Sequence, residues 1–325
     1  MFVPTTFAVA LLMTILSTIC WGSFANTFKV TKNYRFELYY WDYGLGIFLI
    51  SLVLALTMGS FSGGPTAFLA NVHSADNLNL FYAALGGFIF NIANVLLVAG
   101  IEIVGLAIAF PISIGIALVE GVVLSYALQP RGNPAILAAG VAMALVAVIL
   151  VGKSYGALGT NRTISRRGVI VCVISGLLMG IFAPFVTRAM TRGATLTPYT
   201  TAVCLTFGAF LCCFFFNTIL MRKPIVGTPV AAADYFRAPL SYHALGLLGG
   251  AIWGIGAVFN FVAASLVGVA ISYAIGQASP MIACLWGVFA WHEFRGANTR
   301  AKSYLAAMIA AYILALILIA RAYAG

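Results

Sequence analysis

The segment LGGFIFNIANVLLVAGIEIVGLAIAFPI, residues 85–112, decides the fold because a second copy of it occurs later in the chain. Aligned without a gap to LGGAIWGIGAVFNFVAASLVGVAISYAI, residues 248–275, it is identical at eleven of 28 positions. The identities include a Gly-Gly pair at 86–87 and 249–250 and a Val-Gly pair at 104–105 and 267–268. Glycines that repeat in register indicate two copies of one helical unit, since a shared apolar composition does not align them.

The composition places both copies in a membrane. Of the 325 residues, 63% are hydrophobic and 7% are charged, whereas soluble domains carry about 25% charged residues. Apolar runs of about 20 residues, long enough to cross a ~30 Å hydrocarbon core, recur along the whole chain. The sequence therefore predicts an all-α integral membrane protein. Its ten predicted spans are 6–28, 41–59, 80–100, 103–128, 135–152, 168–190, 198–220, 242–266, 269–290 and 303–321.

The repeat divides these spans into two halves of five, residues 1–160 and 161–325. Because five is odd, the second half must lie upside down in the membrane relative to the first. Inverted repeats are the architecture of secondary transporters, in which the solute is held near the midplane. A duplicated scaffold and a passive channel remain as alternatives.

The basic residues indicate topology rather than a nucleic-acid partner. The net charge is +10, but Lys and Arg are scattered over short loops and form no compact patch. Thirteen of the 17 follow odd-numbered spans, and four lie on the other side: Arg131, Arg188, Arg192 and Arg321. Positive loops stay in the cytoplasm, so both termini are predicted to lie outside it. The N-terminal MFVPTT lacks a basic region, and we interpret the first span as a retained helix.

Glu120 is the one charge in FPISIGIALVEGVVLSY, residues 110–126. It lies about eight residues from the end of the fourth span, where a carboxylate costs about 2.5–3.5 kcal/mol on insertion scales. We therefore expect Glu120 to face a cavity or a partner, or to be protonated. Ser113 lies seven residues earlier and so on the same face. Glu120 is predicted to bind solute, to take up the coupling proton, or both; the alternative is a packing role against a neighbouring helix.

Further polar and aromatic residues in the spans are candidates for solute contacts. Asn91 and Asn94 are three apart and share a helix face, and the repeat aligns Phe90, Asn94 and Leu97 with Trp253, Ala257 and Asn260. Pro280 follows Gln277 closely and is predicted to interrupt the ninth span, as Pro111 is in the fourth. Each amide can instead join two helices. The predicted solute-binding residues are Trp21, Asn26, Asn91, Asn94, Ser113, Glu120, Trp253, Asn260 and Gln277.

No cofactor or metal is expected. The six cysteines all lie within predicted spans and form no C-x-x-C pair, and no histidine spacing completes a metal site. An intramembrane enzyme would need a cluster of acids, histidines or metal ligands in the bilayer. Glu120 alone lies deep among seven acids, so no enzyme and no catalytic residue is predicted.

The chain resembles the drug/metabolite transporter superfamily. The resemblance is carried by CWGSFANTFK at 20–29, G-G-x-x-x-N-x-x-N at 86–94 and A-x-W-G-I-G at 251–256, and it extends over essentially the whole chain. The most similar branches are bacterial sugar-uptake permeases, including L-rhamnose–proton symporters, and the ureide permeases of plants. The resemblance implies a fold of ten helices and proton-coupled import of a small polar solute.

These observations together predict a transporter in a bacterial inner membrane, with both termini in the periplasm. The solute is a neutral metabolite such as a sugar, a ureide or a nucleobase-like heterocycle, and the expected partners are that solute, H⁺ and the lipid bilayer. The mechanism is alternating access by a monomer or a homodimer. Efflux of drugs or amphiphilic metabolites is the alternative within transport.

Overall fold

Ten helices in the described residues are long and apolar enough to cross a membrane. The computed structural model describes residues 1–32, 34–159 and 165–324; Arg162, one of the predicted cytoplasmic charges, lies outside them. The prediction of an all-α membrane protein with ten spans is confirmed. Spans 1 to 10 are Phe7–Val30, Phe36–Leu56, Asn77–Val104, Leu106–Leu128, Pro134–Gly156, Arg166–Thr191, Pro198–Arg222, Leu240–Val267, Val269–Phe289 and Thr299–Tyr323.

Spans 3 and 8 are alike in length and in the way that they end. Both contain 28 residues, and both start and stop 163 positions apart. Gly105 follows span 3 with φ 81° and ψ 159°, and Gly268 follows span 8 with φ 87° and ψ 153°. A positive φ strains residues that have a Cβ, so glycine is needed at both junctions. Spans 4 and 9 begin at the next residue in each case.

The helices group into two compact units. Unit 1 comprises Met1–Ile92 and Phe185–Leu266, and unit 2 comprises Ala93–Pro184 and Val267–Gly325. Each unit contains residues from 1–160 and residues from 161–325, so each combines helices from both halves of the sequence.

Within unit 1, one contact between two helices is made twice. A methyl group at Gly46 would overlap the backbone carbonyl of Leu247, and one at Gly208 would overlap the carbonyl of Ala84. Leu247 lies 163 residues after Ala84, and Gly208 lies 162 residues after Gly46. Span 2 thus packs on span 8 as span 7 packs on span 3. Glycine permits this approach of two backbones, which is typical of helix packing in membranes.

Within unit 2, spans 5 and 10 show the same reciprocity. The Asn133 N–H donates to the carbonyl of Ala322 at 2.7 Å, and the Asn298 side-chain amide donates to the carbonyl of Ala157 at 2.9 Å. Asn298 lies 165 residues after Asn133, and Ala322 lies 165 residues after Ala157. The start of each helix contacts the end of the other, so the two helices run antiparallel. Contacts exchanged between counterpart residues characterise a two-fold relation.

Span 9 is broken where the sequence predicted it to be, whereas span 4 is not. The helices Val269–Gly276 and Ser279–Phe289 are separated at Gln277 and Ala278. Pro111 lies inside a continuous helix from Leu106 to Leu128, so the prediction of a break there is wrong. Pro111 is the sixth residue of this helix, so it removes the one hydrogen bond that an N–H there would donate to the Ala107 carbonyl, and the helix continues past it.

Candidate functional site

Three aromatic rings form a stack in unit 1, at the middle of spans 3 and 8. Phe90 and Trp253 are each the fourteenth residue of a 28-residue helix, and their ring centroids lie 4.8 Å apart. Trp253 also stacks on Trp21, with centroids 5.8 Å apart and planes inclined by 22°. Phe90 and Trp253 are buried, whereas Trp21 is half-buried. The stack therefore ends in an indole ring that keeps accessible surface.

Asn91, next to this stack, points its amide oxygen at span 7. The Cys213 thiol donates to Asn91 Oδ1 at 3.9 Å, a long and weak contact to sulfur. Cys213 opens a π-helical turn, Cys213–Asn217, and Asn217 fixes this turn by donating to the Glu37 carbonyl at 2.8 Å. Single π-turns often occur at functional sites because they re-aim side chains. Here the turn directs Cys213 at Asn91.

Unit 1 also holds buried donor groups that lack a partner. Asn91 Nδ2, Trp21 Nε1 and the Tyr43 hydroxyl make no hydrogen bond within the described part of the chain. The Tyr43 ring contacts Phe24 in span 1, with centroids 5.3 Å apart. An unsatisfied buried donor costs about 1–3 kcal/mol. A carbonyl oxygen is an acceptor that each of these groups could take.

The other predicted residues of unit 1 are Asn26 and Asn260. Asn26 donates from its side chain to the Ser23 carbonyl at 2.8 Å, within span 1. Asn260 is buried, with 2% of its surface exposed, and lies seven residues after Trp253 on the same helix.

In unit 2, Glu120 lies against span 6 at a glycine. A methyl group at Gly180 would come within 2.6 Å of Glu120 Oε2. This oxygen is buried and accepts no hydrogen bond from the residues that the structure describes. Ser113, on the same helix, donates to the Cys172 carbonyl of span 6 at 2.8 Å. Both predicted residues of span 4 therefore face span 6, one through a hydrogen bond and the other through close packing.

Tyr273 closes the same region of unit 2. Its hydroxyl is shared between the carbonyl oxygens of Ala117 at 3.2 Å and Met179 at 3.3 Å, and Gly121 makes room for its ring. Gln277, one turn later, caps the helix that carries Tyr273 and is 8% exposed. Asn94, also 8% exposed, is the remaining predicted residue in unit 2.

Sequence reasoning missed a polar cluster at the ends of spans 2 and 8. Asp42 accepts a hydrogen bond from the Tyr235 hydroxyl at 2.6 Å and contacts His243 Nδ1 at 2.8 Å. Burial and then the hydrogen bond to Asp42 raise the pKa of Tyr235, which lies between spans 7 and 8. The sequence does show that Asp42 is the seventh residue of span 2 and that His243 is the fourth residue of span 8. Nothing in the sequence indicates that the two residues are in contact.

Among the described residues, no group of three His, Cys, Asp or Glu side chains could hold a metal ion. The arrangement instead offers aromatic surface and hydrogen-bonding groups, which suit binding without covalent chemistry.

Comparison with known proteins places this architecture among permeases. A crystal structure of a protein that is 16% identical matches with a TM-score of 0.66, over 97% of this chain and 98% of that chain, which shows a shared fold. Ureide permease 1 of Arabidopsis thaliana is 22% identical over 338 residues, covering 85% of this chain and 86% of its own. Ureide permease 5 of the same plant is 23% identical, covering 94% and 92%. The model of the family described as ureide permease matches residues 38–157 and 158–322. The chain is therefore a multi-pass membrane transporter that belongs to the ureide permease family.

Proposed function

We propose that this protein transports a small neutral ureide, a solute in which a carbonyl group lies between two nitrogens. The observation that carries the proposal is the stack of Trp21, Trp253 and Phe90 beside the unpartnered donors of Trp21 and Asn91. The names of the relatives, ureide permeases 1 and 5, support the same class of solute.

A ureide fits these groups for two reasons. Its carbonyl oxygens accept hydrogen bonds, and Asn91 offers an amide N–H₂ because its oxygen already faces Cys213. A cyclic ureide is also planar, so that it can stack on the half-buried ring of Trp21. A sugar, the other solute class suggested by the resemblance, offers hydroxyl groups and no flat ring. Hydroxyl oxygens also accept hydrogen bonds, so it is the flat indole of Trp21 that favours a planar heterocycle.

The mechanism we propose is alternating access by inverted halves, residues 1–160 and 161–325. The contacts exchanged between Gly46–Leu247 and Gly208–Ala84 support it. When two residues that are aligned in the repeat also touch each other, they must lie near the two-fold axis that relates the halves. Phe90 and Trp253, which are aligned at a separation of 163 residues, are in contact. In transporters built from inverted repeats, the solute binds where the repeats meet. The contact between Phe90 and Trp253 supports the stack as the corresponding position in this chain.

Coupling to protons completes the proposal. Glu120 is the acid that we assign to it, because its buried Oε2 lacks a partner among the described residues. Carboxylates within spans commonly bind the coupling ion of pumps and transporters. We also propose that the protein imports its solute and that it lies in a bacterial inner membrane. The excess of basic residues after odd-numbered spans supports periplasmic termini.

Ligand binding to the purified protein tests the solute class. Hydantoin and uracil, which are cyclic ureides, are compared with L-rhamnose by thermal shift in detergent, since a ligand that binds the folded state raises Tm. We expect both ureides to raise Tm and Trp21→Ala to abolish the shift. Trp286→Ala, which removes a 42% exposed indole in unit 2, is the control and should keep it. A shift with L-rhamnose alone would refute the ureide assignment.

A further inference from the structure

A buried carboxylate and an imidazole meet near the ends of spans 2 and 8, within unit 1. Asp42 is 4% exposed, and each of its oxygens has its own partner. Oδ1 accepts from the Tyr235 hydroxyl at 2.6 Å, and Oδ2 lies 2.8 Å from His243 Nδ1. The rings of Tyr235 and His243 meet edge to face at 4.5 Å. Three separate elements therefore converge on one acid.

The helices press closely around this acid. A methyl group at Gly246 would overlap the Asp42 side chain, so span 8 approaches span 2 at a glycine one turn after His243. Burial and the charge of Asp42 raise the pKa of Tyr34 to about 12, which places this phenol within the field of Asp42. Tyr39, one turn before Asp42, bonds to Thr27 at 2.6 Å.

The neighbouring charges are engaged elsewhere. Arg35 pairs with Glu37 at 2.7 Å, and it also donates to the carbonyl oxygen of Thr228 at 2.6 Å. Within the described part of the chain, His243 is the basic side chain found in ion-pair contact with Asp42, at 2.8 Å, so a protonated His243 would be its cation. Charged groups buried in a membrane protein are costly unless they are paired, so the charge state of His243 determines how Asp42 is compensated.

The cluster also holds a segment that connects two spans. Tyr235 belongs to the short helix Ala232–Phe236, between spans 7 and 8. It lines a cavity of about 510 Å³ together with Trp41 and Met221. A change at Asp42 therefore reaches the wall of this cavity through a single hydrogen bond.

We propose that Asp42 and His243 form a proton-binding site of the transport cycle, separate from Glu120, with Tyr235 as the hydroxyl that closes on it. This inference rests on the proposed function. A hydronium ion gives its proton to the lone pair of His243 Nε2 and becomes water, while Nδ1–H continues to donate to Asp42; no covalent bond to carbon changes. Protonation of the imidazole converts a neutral contact with Asp42 into a charge-assisted one.

Gradient-driven uptake into proteoliposomes tests the site. With the membrane potential held at zero and the interior one pH unit more alkaline, each coupled proton supports about tenfold accumulation. We expect Asp42→Asn and His243→Gln each to lower the accumulation of labelled hydantoin about tenfold. Hydantoin counterflow, which needs no net proton movement, should stay within about twofold of the unmodified protein. His243→Gln is the decisive variant because glutamine keeps a donor but does not titrate.

The control variant is His73→Gln combined with Asp76→Asn. It makes the same two chemical changes at exposed positions between spans 2 and 3 and should accumulate hydantoin normally. Unchanged accumulation in His243→Gln, or loss of counterflow in parallel with accumulation, would overturn the proton site. If the unmodified protein shows counterflow but no response to the pH gradient, the proton site is overturned, whereas the proposed transport of a ureide is retained. Absence of counterflow in the unmodified protein would refute the proposed function and this inference with it.

Discussion

Glu120 of span 4 and Gly180 of span 6 are in contact, and the absence of a side chain at Gly180 leaves the space that the carboxylate occupies. A methyl group at Gly180 would come within 2.6 Å of Glu120 Oε2 and 2.8 Å of its Cβ. Neither the Glu120 Cβ nor the backbone of span 6 can yield easily. The position of the acid is therefore determined by a residue of the neighbouring helix.

The first prediction follows from this contact. Gly180→Ala should displace the Glu120 side chain and lower the free energy of unfolding by about 1–3 kcal/mol, the usual cost of overpacking. Uptake of hydantoin should fall as well. Gly156→Ala is the matched control because its new methyl group would meet only Ala107, at 3.8 Å. Thermal unfolding and uptake are measured for both. Equal behaviour of the two variants would contradict the close packing around Glu120.

The second prediction concerns the charge of Glu120. Glu120→Gln keeps the size of the side chain and removes its titration, so hydantoin uptake should lose the part of its dependence on external pH that comes from this acid, while binding persists. The measurement is the initial uptake rate from pH 5 to 8 in proteoliposomes. Glu102→Gln, at an exposed position of span 3, serves as the control and should keep the pH dependence. An unaltered pH profile in Glu120→Gln would remove this acid from the coupling mechanism.

The third prediction tests the direction of the hydrogen bond at Asn91. Asn91→Asp exchanges the N–H₂ group for an acceptor, which repels a solute carbonyl and loses a bond worth about 1.5 kcal/mol. We expect hydantoin affinity to fall at least tenfold, with the folded structure retained, as measured by titration calorimetry. Asn77→Asp, at the exposed first residue of span 3, should bind as the unmodified protein does. Unchanged affinity in Asn91→Asp would exclude Asn91 from the solute site.

Much of the fold is predictable from the sequence because the bilayer dictates it. Helices that cross a hydrocarbon core need about 20 apolar residues, so the ten spans follow from hydropathy. The glycine at 105 and its counterpart at 268 are required by a positive φ, so the repeat in the sequence corresponds to a repeat in the backbone. The aromatic pair at the centre of spans 3 and 8 is visible in the same alignment.

The contacts between distant helices are not predictable in this way. Asn91 contacts Cys213, which begins a π-helical turn in span 7. No residue pattern in CCFFFN, residues 212–217, predicts that turn. Asp42 finds His243 only when spans 2 and 8 pack at Gly246. The sequence predicts a site role for Ser113 because it shares a face with Glu120, yet its partner, the carbonyl of Cys172, lies on another span. Hydropathy identifies helices but not their neighbours, and these contacts depend on the neighbours.

The last prediction distinguishes two counterpart asparagines, Asn133 and Asn298, that begin spans 5 and 10. Both use Oδ1 to accept backbone N–H groups at the helix start, but only Asn298 reaches the other helix through its side chain, donating to Ala157. Asn133 makes the equivalent bond to Ala322 with its backbone N–H. Aspartate preserves an N-cap, because its carboxylate accepts the same bonds.

Asn298→Asp should therefore lose the bond between the helices and set a carboxylate against a carbonyl oxygen, which lowers the free energy of unfolding by about 0.5–1.5 kcal/mol. Asn133→Asp should change it by less than about 0.5 kcal/mol, since the cap and the backbone bond both remain. Thermal unfolding in detergent at one pH measures both variants, and each is the other's control. Equal destabilisation would contradict the assignment of the antiparallel contact to one side chain and one backbone group.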